Sequence, residues 1–195
     1  MKTDIILAGV GGQGLLTIAT IIGIAALEDN IYVKQAEVHG MSQRGGDVES
    51  DLRLSDKPIA SDLIPKGKAD LIVSMEPMEA LRYTHYLDKG GWIVTNSKPF
   101  VNIEDYPEES EILNELNSLP NCLSYDFDKL SLELGNPRSA NIILLGAASP
   151  FIMLSKEKLE TAITKFFFKK GDKIIEDNLT AFNSGWELTI SNLKI

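Results

Sequence analysis

Ile5-Ile6-Leu7-Ala8-Gly9-Val10-Gly11-Gly12-Gln13-Gly14-Leu15-Leu16 runs from an apolar stretch into a glycine cluster and then into a long segment with few breakers. The apolar stretch reads as a buried strand, the glycines as a tight turn and the rest as a helix. Gly9, Gly11 and Gly14 match the G-x-G-x-x-G spacing that lets a backbone approach a pyrophosphate at a helix N-terminus. A dinucleotide is the first ligand this suggests. Glycines in this pattern also serve simply to turn a strand into a closely packed helix. The stretch therefore decides the fold before it decides the ligand.

Working outward, residues 3–8 form the first strand. Residues 14–28 form a helix with Leu15, Leu16, Ile18, Ala19, Ile22 and Ala26 for its buried side, and residues 31–37 form a second strand that closes a βαβ unit. Residues 39–46 break all periodicity. Residues 48–54 then alternate, with Val48, Ser50, Leu52 and Leu54 on one side and Glu49, Asp51 and Arg53 on the other. That pattern predicts a half-exposed strand, antiparallel or at an edge. Further strands are expected at 69–75, 92–96 and 123–127, and helices at 77–87, 108–119 and 128–134. From Ser139 the pattern is helical, over 140–154, 156–168 and 172 onward, with Ser155 capping the middle segment. The fold class that follows is α/β: a three-layer α/β/α arrangement with a Rossmann-like mixed sheet and a helical C-terminal third. No repeat or linker divides residues 1–195.

Composition narrows the function. The chain has 195 residues, 44% of them hydrophobic and 24% charged, and a formal net charge of −9. The acidic balance argues against sequence-independent nucleic-acid binding and against an anionic membrane surface. The most apolar stretch, residues 15–27, is too short to span a bilayer. Asp4 stands where a signal peptide would be apolar, so a cytoplasmic location is expected. Cys122 is the single cysteine; it can form no intrachain disulfide and cannot by itself hold an iron–sulfur cluster, which usually takes about four cysteines. His39 and His85 are the only histidines, so no metal site is expected on this chain. There is no G-x-S-x-G, and no P-loop lysine follows the glycines. Phe166-Phe167-Phe168 followed by Lys169-Lys170 suggests a segment that is part core and part interface.

Two loops remain as candidate sites. Gly11, Gly12 and Gln13 offer backbone amides to an anion. Glu37 ends the second strand roughly where dinucleotide enzymes hold a ribose. Beyond it, Ser42, Gln43 and Arg44 precede Gly45 and Gly46, and the guanidinium is placed to meet a carboxylate or phosphate. The alternative for this second loop is a solvated turn, with Arg44 paired to Glu37 or Glu49.

Taken together, Gly9-Val10-Gly11-Gly12-Gln13-Gly14 and Glu37-Val38-His39-Gly40-Met41-Ser42-Gln43-Arg44-Gly45-Gly46 resemble the gamma-type domain of 2-oxoacid:ferredoxin oxidoreductases. Residues 60–70, residues 75–83 and Pro137-Arg138-Ser139-Ala140-Asn141 ahead of Gly146 are similar to the same family, so the resemblance spans the chain. It is nearest to the small subunits of the indolepyruvate type.

The resemblance implies a small subunit of an enzyme that oxidatively decarboxylates a 2-oxoacid, joins the acyl group to coenzyme A and reduces ferredoxin. It implies a large alpha subunit as partner, carrying thiamine diphosphate, Mg and 4Fe-4S clusters, with ferredoxin reached through the complex. No cofactor is expected on this chain, and coenzyme A is a co-substrate. Gly9, Gly11, Gly12, Gln13, Gly14, Glu37, Ser42, Gln43, Arg44, Gly45, Gly46 and Asn141 are the residues expected to bind a ligand or line an interface. A nucleotide-binding enzyme using NAD or ATP, and a pure scaffold subunit, are the alternatives.

Overall fold

The computed structural model of the chain describes residues 1–40 and 45–193, without the side chain of His39. The elements in order are β1 (Lys2–Val10), α1 (Leu15–Glu28), β2 (Tyr32–His39), β3 (Asp47–Ser55), β4 (Ala69–Ser74), α2 (Pro77–Arg82), β5 (Leu87–Asn96), α3 (Glu109–Ser118), β6 (Cys122–Tyr125), α4 (Phe127–Glu133), α5 (Ala140–Ala148), α6 (Lys156–Phe167) and α7 (Asp172–Leu193). Short 3-10 turns follow α2, α5 and α6.

The strands form one six-stranded sheet in the order β2-β3-β1-β4-β5-β6. β1, β4, β5 and β6 pair in parallel. β3 runs antiparallel to both of its neighbours, β1 and β2. The period of two along β1 sends Ile5 and Leu7 to one face and Ile6 and Ala8 to the other. The first face packs under α1, α5, α6 and α7, with Ile18, Ile22, Ile143, Leu144, Ile163 and Phe182 fully buried. The second packs under α2 and α3 and the loop that carries Ile64. The three layers and the helical C-terminal third are as expected.

Three expectations are corrected. β3 is antiparallel, as its alternation predicts, and interior, because the hairpin from β2 folds it back between β2 and β1. The β1–α1–β2 unit therefore does not close on adjacent strands. The polar side of β3 is not solvated either. Asp4 is buried and takes Arg53 through Nε at 2.8 Å and Nη2 at 3.1 Å. Arg53 Nη1 donates to the carbonyls of Ser61 and Leu63, and Asp51 accepts from the amide of Ile64 at 3.0 Å. A charge network thus draws the loop of residues 56–68 over a face that alternation alone marks as wet. The third correction is Leu16, which points outward with about half its surface exposed, while Ile21 and Ala25 join the buried side of α1.

Boundaries shift where chain geometry intervenes. The helix opening at Pro77 stops at Arg82, and β5 already begins at Leu87. Gly90 and Gly91 lie inside β5, at an irregularity in its pairing with β4. A Cβ on Gly91 would stand 2.9 Å from the Ala69 carbonyl, so the strands approach there only because the residue is glycine. Cys122 is half-buried in β6, and burial pushes its thiol up to about 11. It is unsuited to act as a thiolate near neutral pH.

Candidate functional site

β1 and β4 lie side by side at the centre of the sheet, yet the chain leaves β1 toward β2 on one side and leaves β4 toward β5 on the other. Open α/β sheets bind ligands at such a switch point, beyond the carboxyl ends of the strands. The glycine loop sits there. Gly14 caps α1 with φ 84°, in the left-handed region that glycine adopts without strain. A Cβ at Gly14 would lie 2.5 Å from Asn141 Nδ2, and one at Gly9 would lie 2.7 Å from Gln13 Oε1. A side chain at either position would have to displace the amide of Gln13 or of Asn141 from the loop.

Gln13 fastens this loop. Its Oε1 accepts the Val10 amide at 2.7 Å, and its Nε2 donates to the Met75 carbonyl at 3.3 Å, which ties the loop after β1 to the loop after β4. Asn141 Nδ2 donates to the Gly14 carbonyl at 3.2 Å, which brings the start of α5 to the start of α1. The Gly11 amide donates to the Gly46 carbonyl at 2.8 Å, and the Gly45 amide reaches the Gly11 carbonyl at 3.5 Å. The sequence thus identified residues that the fold brings together: Gly9, Gly11, Gly12, Gln13, Gly14, Gly45, Gly46 and Asn141. Ser42, Gln43 and Arg44 lie outside the described residues. The amides of Gly11 and Gln13 are both spent on the chain itself, the latter on the Val10 carbonyl at 3.2 Å. An anion here would meet Gly12 and the first turn of α1 rather than all of residues 11–13.

Two clefts flank the glycine ridge. One, of about 520 Å3, is walled by residues 12–14, Met75, residues 98–100, Asp128, Arg138 and Asn141. Lys98 and Arg138 are both exposed there, and among the described residues neither makes an ion pair. Two helix N-termini, those of α1 and α5, open onto the same space. The positive ends of both helix dipoles and both side-chain cations therefore favour an anionic ligand. The other cleft, about 260 Å3, is lined by residues 10–16, Glu37 and Val48. Glu37 pairs in register with Ser50 on β3, and Ser50 pairs with Leu7 on β1. The acid thus stands one strand farther from β1 than in a dinucleotide enzyme, roughly 10 Å across the sheet instead of roughly 5 Å.

The sequence reading missed Lys98, Phe100 and Arg138 as cleft residues. Arg138 lies within a stretch already notable for its motif; Lys98 had no signal beyond its place after a parallel strand. Also missed was a strap over residues 97–107. The Glu76 carboxylate is buried at the foot of α2 and takes the Glu79 amide at 2.8 Å, the Phe100 amide at 3.3 Å and the Tyr106 hydroxyl. Farther along the strap, Asn102 Nδ2 donates to the Gly45 carbonyl at 2.8 Å. Strap, residues 45–46 and glycine loop form one hydrogen-bonded platform. It presents Phe100, Val101 and Ile103 outward, each between 45% and 70% exposed.

Comparison with known proteins fits this geometry. The sequence matches the family described as pyruvate ferredoxin/flavodoxin oxidoreductase over residues 4–188. It is 39% identical over 192 residues to the indolepyruvate oxidoreductase subunit IorB of Pyrococcus horikoshii, covering 93% of each chain. It is 32% identical to the 2-oxoglutarate synthase subunit KorC of Methanocaldococcus jannaschii, covering 96% of this chain and 94% of that one. In fold it is similar to a 2-oxoglutarate:ferredoxin oxidoreductase from Magnetococcus marinus whose structure holds 2-oxoglutarate, coenzyme A and succinyl-CoA. There the TM-score is 0.76 at 21% identity, over 97% of this chain and 31% of that longer one. The chain belongs to the pyruvate ferredoxin/flavodoxin oxidoreductase family, whose subunits it resembles along nearly its whole length.

Proposed function

We propose that this chain is the small, non-thiamine-binding subunit of an indolepyruvate-type 2-oxoacid:ferredoxin oxidoreductase, with residues 1–195 forming one gamma-type domain. The complete enzyme takes an aryl pyruvate and coenzyme A to the aryl-acetyl-CoA and CO2, and the electron pair goes to ferredoxin. The observation behind the substrate reading is the identity to IorB subunits, 32–39%, against 28–32% to KorC subunits. The complex works in the cytoplasm, with neither nucleic acid nor membrane as a partner.

An iron–sulfur cluster does not fit this chain. Its one thiol sits half-buried with a raised pKa, and clusters are held by thiolates. Among the described residues no three His, Cys, Asp or Glu side chains converge as a ligand set. As the family resemblance implies, we assign the clusters and thiamine diphosphate with its Mg to a larger partner subunit, and take this chain to be inactive alone.

Its own contribution is to bind and orient. Lys98, Arg138, the Gly12 amide and the first turns of α1 and α5 receive a phosphate-bearing end of coenzyme A. Gln13 and Asn141 fix the loop that shapes this cradle. The platform of residues 97–107 and 45–46 meets the partner.

Reconstitution tests the assignment. Purified together, the chain and its large partner should reduce ferredoxin with indolepyruvate only when coenzyme A is present, and the chain alone should do nothing. Turnover by the chain alone, or a preference of the pair for 2-oxoglutarate, would overturn it.

A further inference from the structure

The aromatic run at the end of α6 divides in three. Phe167 is buried, and Phe166 packs edge-on against it with ring centroids 4.9 Å apart. Phe168 is 73% exposed, the most exposed aromatic side chain among the described residues. It sits on the 3-10 turn Phe168–Lys170, beside Lys169 and Lys170. Lys170 reaches back over the Phe167 ring at 5.2 Å, and among the described residues neither lysine makes an ion pair. The turn thus presents an exposed apolar side chain followed directly by two lysines.

A groove of about 770 Å3 opens along α7, and its lining includes Thr164 and Asp172, four residues before and four residues after Phe168. Its α7 residues recur every three or four positions from Asp172 to Glu187, which is one face of a helix. A different face of α7, with Asn178, Phe182 and Gly185, is buried in the core. Ile175, Leu179 and Leu134 give the groove its apolar surface, while Asp172, Glu176 and Glu187 are exposed carboxylates along it. Among the described residues none of the three is in an ion pair. Among the described residues no lysine or arginine lines the groove.

An exposed apolar side chain with positive charge thus stands four residues from the lining of an apolar groove with negative charge. Such a pair on one chain is the condition for an isologous contact, in which each copy gives what the other receives. We propose that two copies of this chain associate through this region, Phe168 of each seating against Ile175 and Leu179 of the other while Lys169 and Lys170 meet Glu176 and Glu187. The contact lies apart from the carboxyl-edge platform and does not depend on which 2-oxoacid the enzyme uses.

Sedimentation velocity on the full chain tests this. The chain should show a concentration-dependent dimer. Phe168→Glu should raise its dissociation constant at least tenfold, with the far-ultraviolet circular dichroism spectrum unchanged because the side chain is exposed. Lys169→Glu with Lys170→Glu should weaken the dimer as well, and adding Glu176→Lys with Glu187→Lys to the same chain should restore it. A monomer at every concentration up to about 100 μM overturns the proposal, as does a dimer indifferent to Phe168→Glu. If Phe168→Glu instead releases the large subunit from the assembled complex and leaves self-association alone, the groove belongs to that partner and the proposal falls.

Discussion

Gly146 on α5 and Gly185 on α7 meet where the two helices cross backbone to backbone. A Cβ on Gly146 would stand 1.9 Å from the Phe182 carbonyl oxygen, and one on Gly185 would stand 1.9 Å from that of Ile143. Both neighbours are helical backbone and cannot swing aside. Overpacking of this kind usually costs about 1–3 kcal/mol, and more where the obstacle is rigid. Either glycine to alanine should cost at least roughly 3 kcal/mol in denaturant unfolding. A loss below roughly 1 kcal/mol would mean the helices slide apart easily.

Gly146 shows what the sequence carries and what it withholds. The glycine is visible in an apolar helix, but its reason lies on a helix some forty residues on. Elements announced by local periodicity were legible: β1, α1, the alternating β3 and the cap of α6 by Ser155, whose Oγ accepts the Lys158 amide. The position of β3 was not legible, because an interior strand with a polar face is rescued only by the distant Asp4 and by the loop of residues 56–68. In the candidate site the glycine spacing and Gln13 were legible as motif. Lys98 follows β5 and Arg138 precedes α5, and no local pattern joins them.

The polar face of β3 sets a pH dependence. Burial raises the carboxyl pKa of Asp51, against a lesser opposing hydrogen bond from Ile64. Burial likewise raises Glu49 and Glu79. A carboxyl held above its unfolded value keeps its proton longer in the native state, so stability falls as pH rises from about 4 through the raised native value. Asp51→Asn keeps an oxygen for the Ile64 amide and removes the buried charge, whose Oδ1 has no hydrogen-bond partner among the described residues. The variant should be more stable than the native chain at pH 7, with the difference shrinking toward pH 4. Thermal melts across that range check it; a destabilisation that grows from pH 4 to pH 7 would show that the Arg53 attraction dominates, and an equal loss at both ends would place the effect in packing and hydrogen bonding rather than in charge.

The strap should answer to Glu76. Its carboxylate collects donors from Glu79, Phe100 and Tyr106 in a site 1% exposed. Glu76→Ala strands all of them, and unmet buried donors cost about 1–3 kcal/mol each before relaxation. Tyr106→Phe removes a single partner and should cost about 1–2 kcal/mol. The distinguishing readout is local. Amide exchange should accelerate over residues 97–107 in both variants, more in Glu76→Ala, while β1 and β4 stay protected. Uniform acceleration across the sheet would place the effect in global stability rather than in the strap.

The cradle for the anion makes the last demand. Lys98 and Arg138 both line it and are exposed, so their removal should not unfold the chain. A charge-assisted contact to phosphate contributes about 1.5 kcal/mol, near a tenfold change in affinity. In the reconstituted enzyme, Arg138→Ala should raise KM for coenzyme A about tenfold, and the double variant with Lys98→Ala should raise it further. KM for the 2-oxoacid should hold. Dephospho-coenzyme A should lose less affinity on substitution than coenzyme A if the contact is to the ribose phosphate, and equally if it is to the pyrophosphate. A rise in KM for the 2-oxoacid alone would move these cations to the other substrate, and no change in either would leave the glycine loop as a turn and a partner surface.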